Sequence, residues 1–258
     1  MFMGPTSLFD GIALPGAADL PLIVLAALGG SLLSALTGSG AGVVLSIVLV
    51  PIVGVRAIVP ILSIAMVISH IGRVAAFRTQ VDWGAALKLV VLAAPGGILG
   101  AVVYSQLSER TTAAILGLFL LSLLGVRAVA PLGAWRPKPM WFVLAATTFG
   151  FLNGLTIGAG ILVLPLLMVF GLTGATLVAT DAVVGLGMNL TKAISLGAAG
   201  TVTAPLLTYG IAVGILTIPS AFFARLLMDR LSLRSHMRLI DATLLIAASS
   251  MLSQAVLG

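Results

Sequence analysis

Three long stretches of this chain carry no charge. Nothing acidic or basic lies between Asp19 and Arg56, between Lys138 and Asp181, or between Lys192 and Arg225. An α-helix needs about 20 apolar residues to cross a bilayer, and each stretch exceeds that. Across 258 residues, 60% are hydrophobic and only 8% are charged. A soluble domain gives about a quarter of its residues to charge, so this chain has too few to coat a water-soluble globule. The sequence therefore reads as an all-α polytopic membrane protein in contact with the lipid bilayer. That excludes a soluble enzyme, a secreted disulfide scaffold and a nucleic-acid binder. The net charge of +6 is an orientation signal, because Lys and Arg collect in cytoplasmic loops. With no cysteine, disulfides, iron–sulfur clusters and thiolate zinc sites are excluded, and no cofactor is expected. Residues 1–19 hold only Asp10 and Asp19 and lack a basic leading region, so they do not read as a cleavable signal peptide.

Charge, Pro and Gly divide the chain into some eight to ten hydrophobic segments, at 20–37, 42–53, 58–77, 83–105, 111–129, 141–157, 160–171, 175–197, 205–227 and 238–257. The second and seventh are below spanning length and read as broken or re-entrant helices. Basic residues gather in three places: Arg73 and Arg78; Arg127, Arg136 and Lys138; and Arg225, Arg230, Arg234 and Arg238. Placing those loops in the cytoplasm puts both termini outside it, along with the loops near Glu109–Arg110 and 200–203. Trp83, Trp141, Tyr104 and Tyr209 then fall at or near span ends, as an interfacial belt requires. The connection at 106–110 is outside and its counterpart at 228–237 inside, so the two halves are inverted relative to each other.

The sequence also repeats. Residues 33–37 read LSALT and 152–156 read LNGLT, each followed by a glycine-rich break, GSGAG at 38–42 and GAG at 158–160. The same offset carries His70 and Arg73 onto Asn189 and Lys192. We therefore expect a first transmembrane repeat over 20–130, a cytoplasmic connecting loop over 131–140 and a second repeat over 141–257. Inverted repeats with interrupted helices at matching positions point to a secondary transporter. A glycine-rich break frees backbone N–H groups that lipid cannot satisfy, so they must line a cavity. The short helix that follows aims its positive end inward, which favours an anion.

LSALTGSGAG (33–42) and LNGLTIGAGILVLPLL (152–167) resemble the duplicated glycine-rich motif of the sulfite exporter TauE/SafE (TSUP) family. Val81-Asp82-Trp83, followed by a Gly/Ala-rich span through Pro95-Gly96-Gly97, also resembles that family. The likeness covers nearly the whole chain. Two departures fall at Ser46–Ile47, where the family tends to carry the proline matched by Pro165, and at Val202-Thr203-Ala204, a reduced counterpart of 81–83. The resemblance implies a multi-pass protein of a bacterial inner membrane that exports or exchanges a small sulfur-containing anion, such as sulfite, a sulfonate like sulfoacetate, or thiosulfate.

Ionisable groups inside a span are costly and usually face a cavity. Arg73, Lys192 and His70 are therefore candidate anion-binding residues, with Asn189. Asp181 is a candidate proton-coupling group, either paired across helices or protonated. At about 100° per residue, Asp181, Gly185, Asn189 and Lys192 share one helix face, and Ser63, His70 and Arg73 share another. Each charge also has a plainer reading: Arg73 and Lys192 can snorkel to the headgroups, and His70 can bond a neighbouring helix. Ser34, Thr37, Ser39, Asn153 and Thr156 flank the breaks, where they either contact substrate oxygens or cap helix ends. Gly40, Gly158 and Gly160 would supply backbone donors, whereas Gly96 and Gly100 read as packing residues.

Three candidate cations against one carboxylate favour an oxyanion substrate. Alternating access, with proton coupling as an option, is the expected mechanism. The alternatives are a carrier of a non-sulfur organic or inorganic anion, a channel, or a non-transporting membrane protein. Two histidines, at 70 and 236, supply no catalytic or metal-binding set, and no phosphate-binding loop appears, so an enzyme is not expected. Homo-oligomer formation is left open.

Overall fold

A computed structural model describes residues 19–37, 40–129, 137–227 and 249. In chain order the helices are α1 (Leu20–Thr37), α2 (Ala41–Val53), α3 (Val55–Phe77), α4 (Trp83–Gln106), α5 (Glu109–Val129), α6 (Pro139–Leu155), α7 (Val163–Met168), α8 (Gly174–Ala198) and α9 (Ala204–Leu227). Short 3₁₀ turns occupy Arg78–Gln80 and Ala159–Leu162, and no strand occurs among the described residues. The chain is thus all-α, and its helices follow the first nine expected segments. The tenth lies outside the described residues, apart from residue 249, as does most of the central connection (130–136).

Four stretches are long and apolar enough to cross a membrane: Val55–Gln80, Trp83–Gln106, Gly174–Ala198 and Ala204–Leu226. Helices prevail because each satisfies its own backbone, which lipid cannot do. Their ends follow local chemistry. Asp82 caps α4, its carboxylate accepting from the Ala85 N–H at 2.9 Å, a typical N-cap bond. The Asp82 N–H in turn donates to Thr180 Oγ1 on α8 at 3.0 Å. The aspartate of Val81-Asp82-Trp83 therefore starts one helix and ties that start to another. Pro139 sits in the first turn of α6, where its missing N–H costs nothing.

Large apolar side chains cover the outside as well as filling the core. Leu25, Leu87, Val91, Leu99, Ile194, Phe223 and Leu226 face outward, where lipid tails would lie. Trp83 and Trp141 are exposed at the starts of α4 and α6, as interfacial anchors would be. α3 is buried along most of its length, whereas in α4, α8 and α9 fewer than half of the residues are buried. α3 packs against α8 and α9, α4 against α6 and α8, and α1 against α2 and α9.

Two of these contacts are backbone-close seams. A Cβ on Gly96 would collide with Thr147 O, one on Gly100 with Phe151 O, one on Gly150 with Ala93 O, and one on Gly154 with Gly97 O. Contacts advance in the same direction on both chains, so α4 and α6 run parallel. Small residues four apart allow this approach where no hydrophobic effect drives helices together. Gly210, Gly214 and Gly72 bring α9 and α3 together at Ile64, Ile68 and Ile218, again in parallel.

Gly150→Ala forces these backbones apart and should lower stability by about 1–3 kcal/mol, read as a lower unfolding midpoint in detergent. Gly29→Ala, where a Cβ meets nothing within 4 Å and alanine is the better helix former, should not lower that midpoint.

Candidate functional site

Both glycine-rich breaks open onto one cavity of about 80 Å³. A single water needs some 10–15 Å³ of such space, so a small oxyanion fits and a large organic molecule does not. α1 ends at Thr37, and α2 starts after Gly40, whose φ of 118° is a left-handed value that no bulky residue adopts cheaply. Gly40 has no side-chain cap hydrogen bond. The first helical bond of α2 is Val44 N to Gly40 O at 3.0 Å. The N–H groups of Ala41, Gly42 and Val43 precede it and have no intrahelical acceptor. All three residues line the cavity.

The second break is built differently. α6 stops at Leu155, and Thr156 closes it, its N–H reaching Leu152 O at 2.9 Å and its Oγ1 the same oxygen at 2.6 Å. Gly158 follows with φ 87°, then a 3₁₀ turn and the six-residue α7. Where the sequence led us to expect a second helix N-terminus, the structure places a lysine. Lys192 Nζ donates to Thr156 O at 3.0 Å while only 5% exposed. An ammonium is favoured at the carbonyl end of a helix, and two of its three N–H donors remain for a ligand. Asn153, one turn before the break, is buried, and its Oδ1 has no hydrogen-bond partner.

α8 supplies one wall. Asp181, Gly185, Asn189 and Lys192 all line the cavity, as their shared face predicts. They span about 16 Å along the helix axis. From α3, His70 faces them. Its Nδ1 lies 2.6 Å from Met66 O, so this nitrogen carries the proton. Its Nε2 lies over Gly185, where a Cβ would strike the imidazole. Asn189 Nδ2 donates to Gly185 O at 2.8 Å.

Arg73 is not among the residues lining the cavity. Its Nη2 donates to Asp181 Oδ2 at 2.8 Å, with side-chain exposures of 2% and 3%. Of the two states open to Asp181 in sequence, pairing across helices is the one adopted. α3 and α8 run antiparallel here, Arg73 meeting Asp181 and His70 meeting Gly185. The Nε and Nη1 of Arg73 are buried without partners.

The cavity thus gathers Gly40, His70, Asn153, Thr156, Gly158, Gly160, Asp181, Asn189 and Lys192. Ser39 and the side chain of Thr37 lie outside what the structure describes. Ser34 and Ser63 are also on the wall, Ser63 donating to Pro60 O at 2.7 Å. Sequence reasoning placed Gly185 on the polar face without a task, and its task is to make room for His70. A glycine on an otherwise polar stripe was the available signal.

The family model described as sulfite exporter TauE/SafE matches residues 22–252 of the chain. No curated protein and no solved structure matches it.

Breaking a buried ion pair from one side leaves a lone charge and costs about 3–5 kcal/mol. Arg73→Ala and Asp181→Ala should each lose stability on that scale in denaturing-detergent titrations. The double variant should lose clearly less than the two losses added together.

Proposed function

The chain belongs to the sulfite exporter TauE/SafE family, and on that premise we propose that it is a secondary transporter of a small sulfur-containing anion. Sulfite, a sulfonate such as sulfoacetate, and thiosulfate are the substrates proposed. Family membership supports a transporter over an enzyme, and the apolar helices support a multi-pass membrane protein. The observation that carries the reading is Lys192, an ammonium held on Thr156 O beside the break, facing the same cavity as the first turn of α2. Anions are favoured both by a buried cation and by the N-terminal end of a helix.

Two inverted repeats, over 20–130 and 141–257, are the proposed basis of alternating access. The packing supports them. Exchanging α1 with α6, α3 with α8 and α4 with α9 maps the contacts α1–α9, α3–α9 and α3–α8 onto α6–α4, α8–α4 and α8–α3. We further propose an inner-membrane location with both termini outside the cytoplasm. The parallel course of α4 and α6, each starting just after a basic cluster, supports this sidedness. Asp181 is the proposed proton-coupling group: a proton on its carboxylate would remove the charge that holds Arg73.

Losing a charged hydrogen bond costs about 1.5–3 kcal/mol, so Lys192→Ala should weaken anion binding roughly tenfold to a hundredfold. The measurement is saturable uptake of sulfite, sulfoacetate and thiosulfate into proteoliposomes, with acetate as the non-sulfur comparison. Undiminished affinity in this variant overturns the site. Equal uptake of acetate overturns the sulfur-anion assignment.

A further inference from the structure

The charges around the cavity are countable, and their sum constrains the ligand. Among the described residues, His70 and Arg73 on α3 and Asp181 and Lys192 on α8 are the ionisable groups at this site. The described parts of α1, α2, α6 and the second break bring none. Arg73 and Asp181 neutralise each other at 2.8 Å. The Nδ1 of His70 donates to Met66 O, and its Nε2 packs against Gly185. A neutral ring meets this geometry with its single N–H satisfied, whereas a charged ring would turn a second N–H onto a glycine carbon. Lys192 is left as one unmatched positive charge, supplemented by the partial charge at the start of α2.

We infer that the species this site carries is a monoanion, so that sulfite enters as bisulfite, monovalent sulfonates are preferred to divalent oxyanions of the same size, and thiosulfate and sulfoacetate, both divalent at neutral pH, are the disfavoured members of the proposed substrate set. The inference rests on the proposed anion-transport reading and specifies its ligand. A monoanion and Lys192 sum to zero charge. A dianion would leave one negative charge uncompensated in a low-dielectric cavity, the arrangement buried sites avoid most strongly. The site has an acceptor to match. The Oδ1 of Asn153, buried on the cavity wall without a hydrogen-bond partner, can receive a hydrogen bond from the hydroxyl of a protonated oxyanion, which a fully deprotonated anion does not offer. Protons then cross as part of the substrate, in addition to any carried by Asp181.

The test is uptake of sulfite, methanesulfonate and sulfate into proteoliposomes holding the full chain, with equal pH on both sides. Methanesulfonate is a monoanion throughout the neutral range, so the ratio of sulfite to methanesulfonate uptake cancels any titration of the protein itself. Above the second pKa of sulfurous acid that ratio should fall roughly tenfold per pH unit, following the bisulfite fraction, and sulfate should be carried at least tenfold less well than methanesulfonate. A ratio that stays constant with pH, or sulfate uptake equal to that of methanesulfonate, overturns the monoanion assignment while leaving anion transport intact. Uptake of none of the three overturns the transport reading itself. Asp181→Asn adds an independent arm: it leaves Arg73 unmatched, gives the site a second positive charge and should raise the sulfate-to-methanesulfonate ratio at least tenfold. An unchanged ratio in an active variant also overturns the assignment. If the variant is inactive, the wild-type ratios decide.

Discussion

Lipid offers no hydrogen-bond partner to a peptide group, and most features of this molecule follow from that constraint. Helices carry almost all of the described chain because only they satisfy their own backbones. Small buried hydroxyl side chains turn back onto their own helices, Ser46 onto Val43 O, Ser63 onto Pro60 O and Thr217 onto Gly214 O, rather than stay unpaired in the interior. The two helix breaks are admitted only where protein surrounds them. The same exclusion that keeps irregular backbone off the lipid face brings unsatisfied N–H and C=O groups together at one interior point. The cavity is thus where a broken helix must go, and its polarity is a by-product of the breaking.

The two breaks meet this constraint by different chemistry. The first turns the start of a 13-residue helix toward the cavity, with first-turn donors that have no acceptor within the helix. The second presents a carbonyl end, which Lys192 covers. Related positions have diverged in the same manner. Arg73 and Lys192 occupy corresponding places in the two repeated sequence patterns, yet one is consumed by Asp181 and the other faces the cavity. The two matching sequence patterns therefore end in an asymmetric charge distribution, with one cation paired and the other on the cavity wall.

Much of this was legible in the sequence because its signals are local. Uncharged runs marked the helices, glycine clusters marked the breaks, and three polar residues with a glycine at helical spacing marked the α8 wall. What escaped was pairing over distance. Nothing in the neighbourhood of Asp181 names Arg73, 108 positions away, as its partner, and the sequence reading therefore counted Arg73 as an anion ligand. The acceptor for Lys192 is a main-chain oxygen, which no inspection of side chains reveals. Gly96, Gly100, Gly150 and Gly154 were visible as small residues, but a small residue does not announce which helix it admits. Only the fold joins them into a parallel seam.

That seam decides which parts of the molecule can move together. α4 comes from the first half of the sequence and α6 from the second, and α3 and α9 are likewise from opposite halves. Along α4 and α6 the glycines set backbone against backbone with no side-chain layer between, whereas along α3 and α9 they seat isoleucine side chains, and both arrangements resist sliding. The tightest packing therefore does not follow the two sequence halves but groups helices from both, α4 with α6 and α3 with α9. Their common boundary is the antiparallel contact of α3 with α8, where the ion pair and the cavity wall are found. The surface where these groups meet is thus also the wall of the cavity, so anything that fills the cavity would touch both groups at once.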